Sequence, residues 1–467
     1  MGSLTANVRM YRLDELGDCF LLTFTQGAKV SRMLIDCGSF RNSAKSIARL
    51  KKITADIKQQ LGGAPLSVVV GTHQHNDHLS GFVHCEDVFR QIGVEQVWLS
   101  WLDDPKDKSA RKIGNDFNNL RKALFKVRNK LESMPGVPTG HPSISALNDA
   151  LGFFGSKEAA DPPELPADAV KILKDLGKTS YLNPGQALDM PGLTPGSVKI
   201  HVLGPPRDTD LLYRKDPRKG ESYDHALASA LLAATKFFDA SEHHSRGTSA
   251  DERQYPFNQV YKRTGNELKS DPLAKLIAGY NGHGERWRKI DDDWMDQAAS
   301  LALFLDTYTN NSSLALAIEL VESGKVLLFA ADAQTGNWTS WADVKWENKK
   351  TSTDDLLART VLYKVGHHGS HNSTLVAAFE KMTHPDLAAL IPVHKQDPNI
   401  TKVNGWKMPA KNLFKKLRER TSGRVLQMDG VNPADCNPSK QPALGAWKKI
   451  NIKPKQTDMF IELEFPG

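Results

Sequence analysis

Thr72-His73-Gln74-His75-Asn76-Asp77-His78 is the stretch that most restricts what this chain can be: three imidazoles and a carboxylate lie within six residues. It follows Leu66-Ser-Val-Val-Val-Gly71, a β-branched run of the kind that forms a buried strand. Imidazole nitrogen and carboxylate oxygen are donors that zinc, manganese and iron accept. In an extended loop, the i, i+2 spacing lets His73 and His75 aim at one ion, with Asp77 and His78 facing a neighbouring one. A merely solvated loop explains so dense a cluster poorly.

Two further strand ends repeat the pattern. Val326-Leu-Leu-Phe-Ala-Ala-Asp332 runs an apolar strand into a carboxylate. Taken alone, Asp332 could be a turn or helix-capping residue. As a ligand, it has two oxygens to share between two metals. Val361-Leu-Tyr-Lys-Val-Gly-His367-His368-Gly369-Ser370-His371 runs into histidines and a glycine that permits a tight turn. Of fifteen histidines, seven fall in the windows His73–His84 and His367–His371. Two metals about 3.5–4 Å apart can hold a hydroxide and deliver it to an electrophile.

Strand signals also occur at Val8–Leu13, Cys19–Thr25, Val30–Asp36, Val94–Leu99, Val198–Leu203, Leu314–Val321 and Leu387–Pro392. Helical spacing occupies Ile113–Leu131 and Lys407–Arg420. An α/β core is predicted, about 1–104, 197–207 and 301–467. Two largely helical insertions, 105–196 and 208–300, would interrupt it. With 467 residues, 40% of them apolar and 25% charged, the chain can bury a large core. Mean hydropathy is −0.44 and no apolar run is long enough for a bilayer, so no membrane partner is expected. The start, Met1–Arg12, lacks the apolar core of a secretory signal. Cys19, Cys37, Cys85 and Cys436 form no C-x-x-C pair, and a cytoplasmic setting is expected.

Together, H-x-H-x-D-H at His73–His78, Leu34-Ile35-Asp36-Cys37-Gly38, Asp332 and the His-His-Gly turn resemble the metallo-β-lactamase superfamily. Gly17-Asp18-Cys19-Phe20, Val202-Leu203-Gly204-Pro205-Pro206, Asn310-Asn311-Ser312-Ser313-Leu314 and Lys364-Val365-Gly366-His367-His368-Gly369-Ser370 narrow the likeness. They are similar to the hydrolase domain of the bacterial competence DNA-uptake channel and its soluble relatives. The likeness covers about half the chain and neither insertion.

This resemblance implies a four-layer αββα sandwich with a two-metal site at one sheet edge. Two divalent ions, zinc first and manganese as the alternative, would be held by His73 and His75 on one side. Asp77, His78 and His368 would hold the other, and Asp332 would bridge. Asp36 would orient the ligand loop, and Asp77 and His367 would serve catalysis. The reverse assignment of His367 and His368 stays open. The family's further histidine for the first metal has no clear counterpart: His201 reads as a core or surface residue, and His141, His225 and His283 sit in the insertions. Ser370, His371 and His394 are candidate substrate contacts; His84 and Cys85 read as structural.

The implied activity is hydrolysis by a metal-bridged hydroxide, with a phosphodiesterase or nuclease acting on DNA or RNA as the first reading. Lysines and arginines number 61 against 54 acidic residues, and the pI is near 9.0; both permit a polyanionic partner. Lys411, Lys415, Lys416, Arg418 and Arg420 form a basic stretch that is either a solvated face or a phosphate contact. A small-molecule hydrolase acting on a cyclic nucleotide, phosphodiester or lactone is the alternative. A third reading is a component of a bacterial antiviral defence assembly, gated by protein partners on the charged, Trp-bearing insertions (Trp287 and Trp294). No G-x-x-x-x-G-K-[ST] loop or G-x-S-x-G elbow is present, which removes support for nucleotide-driven motors and serine hydrolases.

Overall fold

The computed structural model describes residues 3–133, 142–155, 165–213, 267–269, 271–280, 293–403, 405–429, 447–450, 452 and 454–467. His141, His225, His283, Trp287 and Cys436 lie outside these. The chain is α/β, with two mixed sheets.

The first sheet holds β1 (Leu4–Tyr11), β2 (Cys19–Gln26), β3 (Lys29–Cys37), β4 (Leu66–Val70), β5 (Val94–Ser100), β6 (Lys178–Leu182), β14 (Lys455–Gln456) and β15 (Phe460–Pro466). Their order is β14-β15-β1-β2-β3-β4-β5-β6. Pairing is antiparallel from β14 to β3 and parallel from β3 to β6. The second sheet holds β7 (Ala187–Asp189), β8 (Val198–Val202), β9 (Leu316–Leu320), β10 (Lys325–Phe329), β11 (Thr360–Lys364), β12 (Ala388–Ile391) and β13 (Val425–Gln427). Here the order is β13-β12-β11-β10-β9-β8-β7, parallel from β13 to β10 and antiparallel beyond.

Strand alternation explains the core. Leu327 and Phe329 join a buried cluster shared with Phe20, Leu22 and Phe24 of the first sheet, and the Phe20 and Phe329 rings meet edge-on at 5.5 Å. Val326 and Leu328, one residue out of phase, join a second cluster with Leu356, Leu357, Phe379 and Leu417 from helices. Helix α1 (Ala44–Leu61) starts where the Ser43 side chain accepts the Ser46 N–H, and ends at Gly62 with φ +58°. It buries Leu50, Ile53, Ile57 and Leu61, a 3-and-4 spacing that makes one apolar stripe.

The chain divides into two units, one of 1–115, 152–220 and 306–467 and one of 116–151 and 221–305. The first insertion is thus narrower than expected. β6 and β7 lie within the expected insertion 105–196, yet they pair in the two sheets. Short, polar segments such as Lys178-Thr-Ser-Tyr-Leu182 carry almost no strand signal, and neighbouring strands supply what propensity lacks. In the second unit the described parts are helical, and Phe117 and Phe304 stack at 6.0 Å. The expected helix Lys407–Arg420 begins at Lys411, because Pro409 has no N–H to donate and restricts the residue before it. No helix among the described residues is long and apolar enough to cross a membrane.

Candidate metal centre

Parallel strands end in the same place. Asp36 closes β3, His73 follows β4, Asp332 follows β10, Lys364 closes β11 with His367 and His368 just beyond, and Pro392 follows β12. Carboxyl ends of parallel strands are where open α/β sheets build sites. His75 precedes helix α2 (Asn76–His84), whose first turn carries Asp77 and His78. That helix can lie against the end of β3 because Gly38 and Gly81 have no side chain. A Cβ on Gly38 would sit 2.4 Å from the His78 nitrogen, and one on Gly81 2.5 Å from the Cys37 oxygen.

Five non-glycine residues have positive φ among the described residues; four of them are Asp36, Ala331, His367 and His368, with φ from +42° to +56°. Such backbone is costly for residues with a Cβ, and it is tolerated where surrounding structure fixes it. Gly369, at φ +77°, completes three left-handed residues in a row. The turn sends the two adjacent histidines different ways.

The His368 side chain reaches Asp77, 2.9 Å from Nε2 to Oδ2, and Asp332, 3.4 Å to Oδ2. His78 Nε2 lies 3.2 Å from Asp332 Oδ2. Donor atoms of Asp77, His78, Asp332 and His368 all lie within 4.8 Å of one another, and all four residues are buried. Beside them, His73 Nε2 and His75 Nδ1 face each other at 3.2 Å. The His73 and His78 rings are 4.1 Å apart, so the two groups are contiguous.

Outward-facing atoms are held. His78 Nδ1 donates to Asp36 Oδ2 at 2.7 Å, and Asp36 accepts from the Thr72 N–H and hydroxyl at 2.9 and 2.7 Å. His368 Nδ1 donates to the Pro392 carbonyl at 2.8 Å. Inward-facing Asp77 Oδ1, His78 Nε2 and Asp332 Oδ2 are buried and make no hydrogen bond among the described residues. Buried polar atoms are normally satisfied, so converging orphans fit a set of cation ligands.

Asp332 departs from the expectation that both its oxygens serve metals. Oδ1 accepts from the His367 N–H at 3.1 Å and from Lys364 Nζ at 3.3 Å. Only Oδ2 faces the imidazoles, so a shared role would run through that one oxygen. Lys364 and Asp18 were not read as site residues from the sequence. Lys364 Nζ meets Asp18 Oδ2 at 2.5 Å and the Ala331 carbonyl at 2.9 Å, with both charged side chains buried. Both residues stand in the quoted motifs, Gly17-Asp18-Cys19 and Lys364-Val365-Gly366; the signal was a charge inside an apolar setting.

Electrostatics separates the imidazoles. Burial, with His78 and His75 as neighbours, holds His73 well below the usual histidine range; burial also lowers His75, to about 3. Burial opposes charge on His78 and His368 too, but carboxylates outweigh it. Asp332, Asp18, Asp36 and Asp77 hold His78 well above its usual range; Asp332, Asp77 and Asp18 push His368 up to about 10. Burial likewise opposes ionisation of Asp332, but His78, His368 and Lys364 hold its carboxyl well below the usual range.

His367 stays off this cluster of donors. Its Nδ1 contacts Ser370 Oγ at 2.9 Å and Gln334 Nε2 at 3.2 Å. His371 is exposed. His394 turns to Asp429, 3.5 Å away, and lines a cavity of about 420 Å³ with Arg41, Lys45 and Arg49. His201 pairs with Glu319 at 2.8 Å. His84 bonds Asn42 at 2.8 Å, and Cys85 is buried. No family model matches this chain, and no curated protein matches it.

Proposed function

We propose that this chain is a metal-dependent hydrolase with the four-layer αββα architecture of the metallo-β-lactamase superfamily, acting on phosphodiesters and most specifically as a nuclease. The observation that supports it best is the set of buried, inward-facing atoms on Asp77, His78 and Asp332 that make no hydrogen bond among the described residues. His73 and His75 would hold one ion, and Asp77, His78 and His368 the other, with Asp332 Oδ2 shared. Zinc suits this mixture of imidazole and carboxylate, and manganese also accepts it. Two such ions, when bound, would supply Lewis acidity and water of lowered pKa.

The chain's own residues supply orientation. Asp36 and the Pro392 carbonyl fix the tautomers of His78 and His368, so Nε2 of each points inward. Lys364 and the His367 N–H hold Asp332 by its outer oxygen. The His367 ring, anchored by Ser370 and Gln334, 7% exposed and 6.3 Å from the His368 ring, would be the imidazole offered to substrate.

The surplus of basic residues favours a polyanion. Full-length protein supplied with zinc or manganese is expected to cleave single- or double-stranded DNA or RNA, and Asp77→Ala to abolish cleavage. Cleavage that persists unchanged in Asp77→Ala, or no cleavage of any substrate by metal-loaded protein, refutes the nuclease reading.

A further inference from the structure

We infer that Asp306 is the positioning residue of the first metal position: it fixes the His75 imidazole from behind. The inference rests on the metal-binding reading above and deepens it.

Three of the four inward imidazoles have the outer nitrogen within reach of a hydrogen-bonding oxygen: His73 Nδ1 lies 3.1 Å from Thr72 Oγ1, His78 Nδ1 2.7 Å from Asp36 and His368 Nδ1 2.8 Å from Pro392. His75 is turned the opposite way. Its Nδ1 faces His73 Nε2 at 3.2 Å, so Nδ1 is the ligand nitrogen and Nε2 the outer one. Nε2 is buried without a hydrogen bond, and Asp306 Oδ1 stands 3.9 Å from it. The ring packs against Phe153 and Phe154, with centroids at 5.1 and 5.0 Å, so aromatic contacts help set its plane.

Asp306 lies on the helix Asp293–Asn311, and the Asn310 side-chain amide donates to its Oδ2 at 3.2 Å. Oδ1 is the oxygen facing His75. A carboxylate at Nε2 keeps the proton on that nitrogen, leaves the Nδ1 lone pair for a cation and raises its basicity. No third histidine joins His73 and His75 among the described residues, so each of these two ligands carries more of the affinity. The carboxylate behind His75 therefore has an outsized effect on this ion and little on its neighbour.

The test is a Zn²⁺ titration of the full chain against a chromophoric chelator, repeated with Co²⁺ to read each site's absorption. Wild type is expected to take two ions. Asp306→Ala should keep one at wild-type affinity and bind the other about 10- to 100-fold more weakly. Asp306→Glu should recover much of the loss. A merely structural role would weaken both ions together or lower the melting temperature of chelator-treated protein. Either result overturns the inference, as does an Asp306→Ala variant with two wild-type ions. Wild-type protein that takes up no metal refutes the metal-binding reading instead, and the inference falls with it.

Discussion

Replacing Lys364 by methionine isolates the charge at the floor of the site, because methionine keeps an unbranched stem of similar length. Lys364 Nζ serves three acceptors: Asp18 Oδ2 at 2.5 Å, Asp332 Oδ1 at 3.3 Å and the Ala331 carbonyl at 2.9 Å. Burial disfavours its charge, but Asp18 and Asp332 outweigh that and hold its pKa above the usual lysine range. After substitution, Asp332 still has His78 and His368 at 3.2 and 3.4 Å and the His367 N–H at 3.1 Å. Asp18 fares worse: its remaining cationic neighbours are His368 at 3.6 Å and His78 at 3.8 Å. The loss therefore amounts to one buried carboxylate left with only these longer contacts, at most about 3–5 kcal/mol. The Ala331 carbonyl loses one of its two donors but keeps the His367 N–H at 3.2 Å, so it adds little to that cost. Adding Asp18→Asn removes the stranded charge, so the double variant should be more stable than the sum of the two single losses by roughly 0.5–3 kcal/mol. Urea titration of chelator-treated protein, followed by far-UV circular dichroism, measures all three variants. A Lys364→Met loss below about 1 kcal/mol, or strict additivity with Asp18→Asn, refutes the reasoning.

Two further outcomes follow from the same geometry. His368, pushed up to about 10 in the folded chain from an ordinary value near 6.5, contributes stability that is complete below about pH 6.5 and is lost as pH rises toward 10. Chelator-treated protein should therefore lose stability over that window, and His368→Gln should flatten the slope; denaturation midpoints at a series of pH values report both. Gly38→Ala forces a Cβ to within 2.4 Å of the His78 nitrogen, so about 1–3 kcal/mol of stability and the alignment of helix α2 should go together. Thermal melts read the first and Zn²⁺ stoichiometry the second; a variant unchanged in both would contradict the close packing.

The inward-facing donors were legible in the sequence because dense groups of imidazole and carboxylate are chemically unusual and fall at strand ends. His73, His75, Asp77 and His78 share one loop, and the runs into Asp332 and His368 were apolar enough to read as strands. Their supports were less visible. Asp306 is one acidic residue on a helix, and nothing local sets it apart; its meaning comes from folding 231 residues away from His75. Lys364 interrupts a strand that otherwise reads as core, and its partner Asp18 is 346 positions earlier. β15 does carry a local signal: Phe460-Ile-Glu-Leu-Glu-Phe465 alternates apolar and acidic residues, the pattern of a strand with one wet face. β6 and β7 carried too little hydrophobicity to be found, and the limits of the first insertion were misplaced accordingly.

His73, His75, Asp77 and His78 descend from one sheet, while Asp332 and His368 descend from the other. Neither layer owns a complete set of donors, so a cation seated here rivets the sandwich together. At a hundred times its dissociation constant, each such ion adds about 2.7 kcal/mol of cohesion between the layers. Metal supply would then govern how long the folded molecule survives.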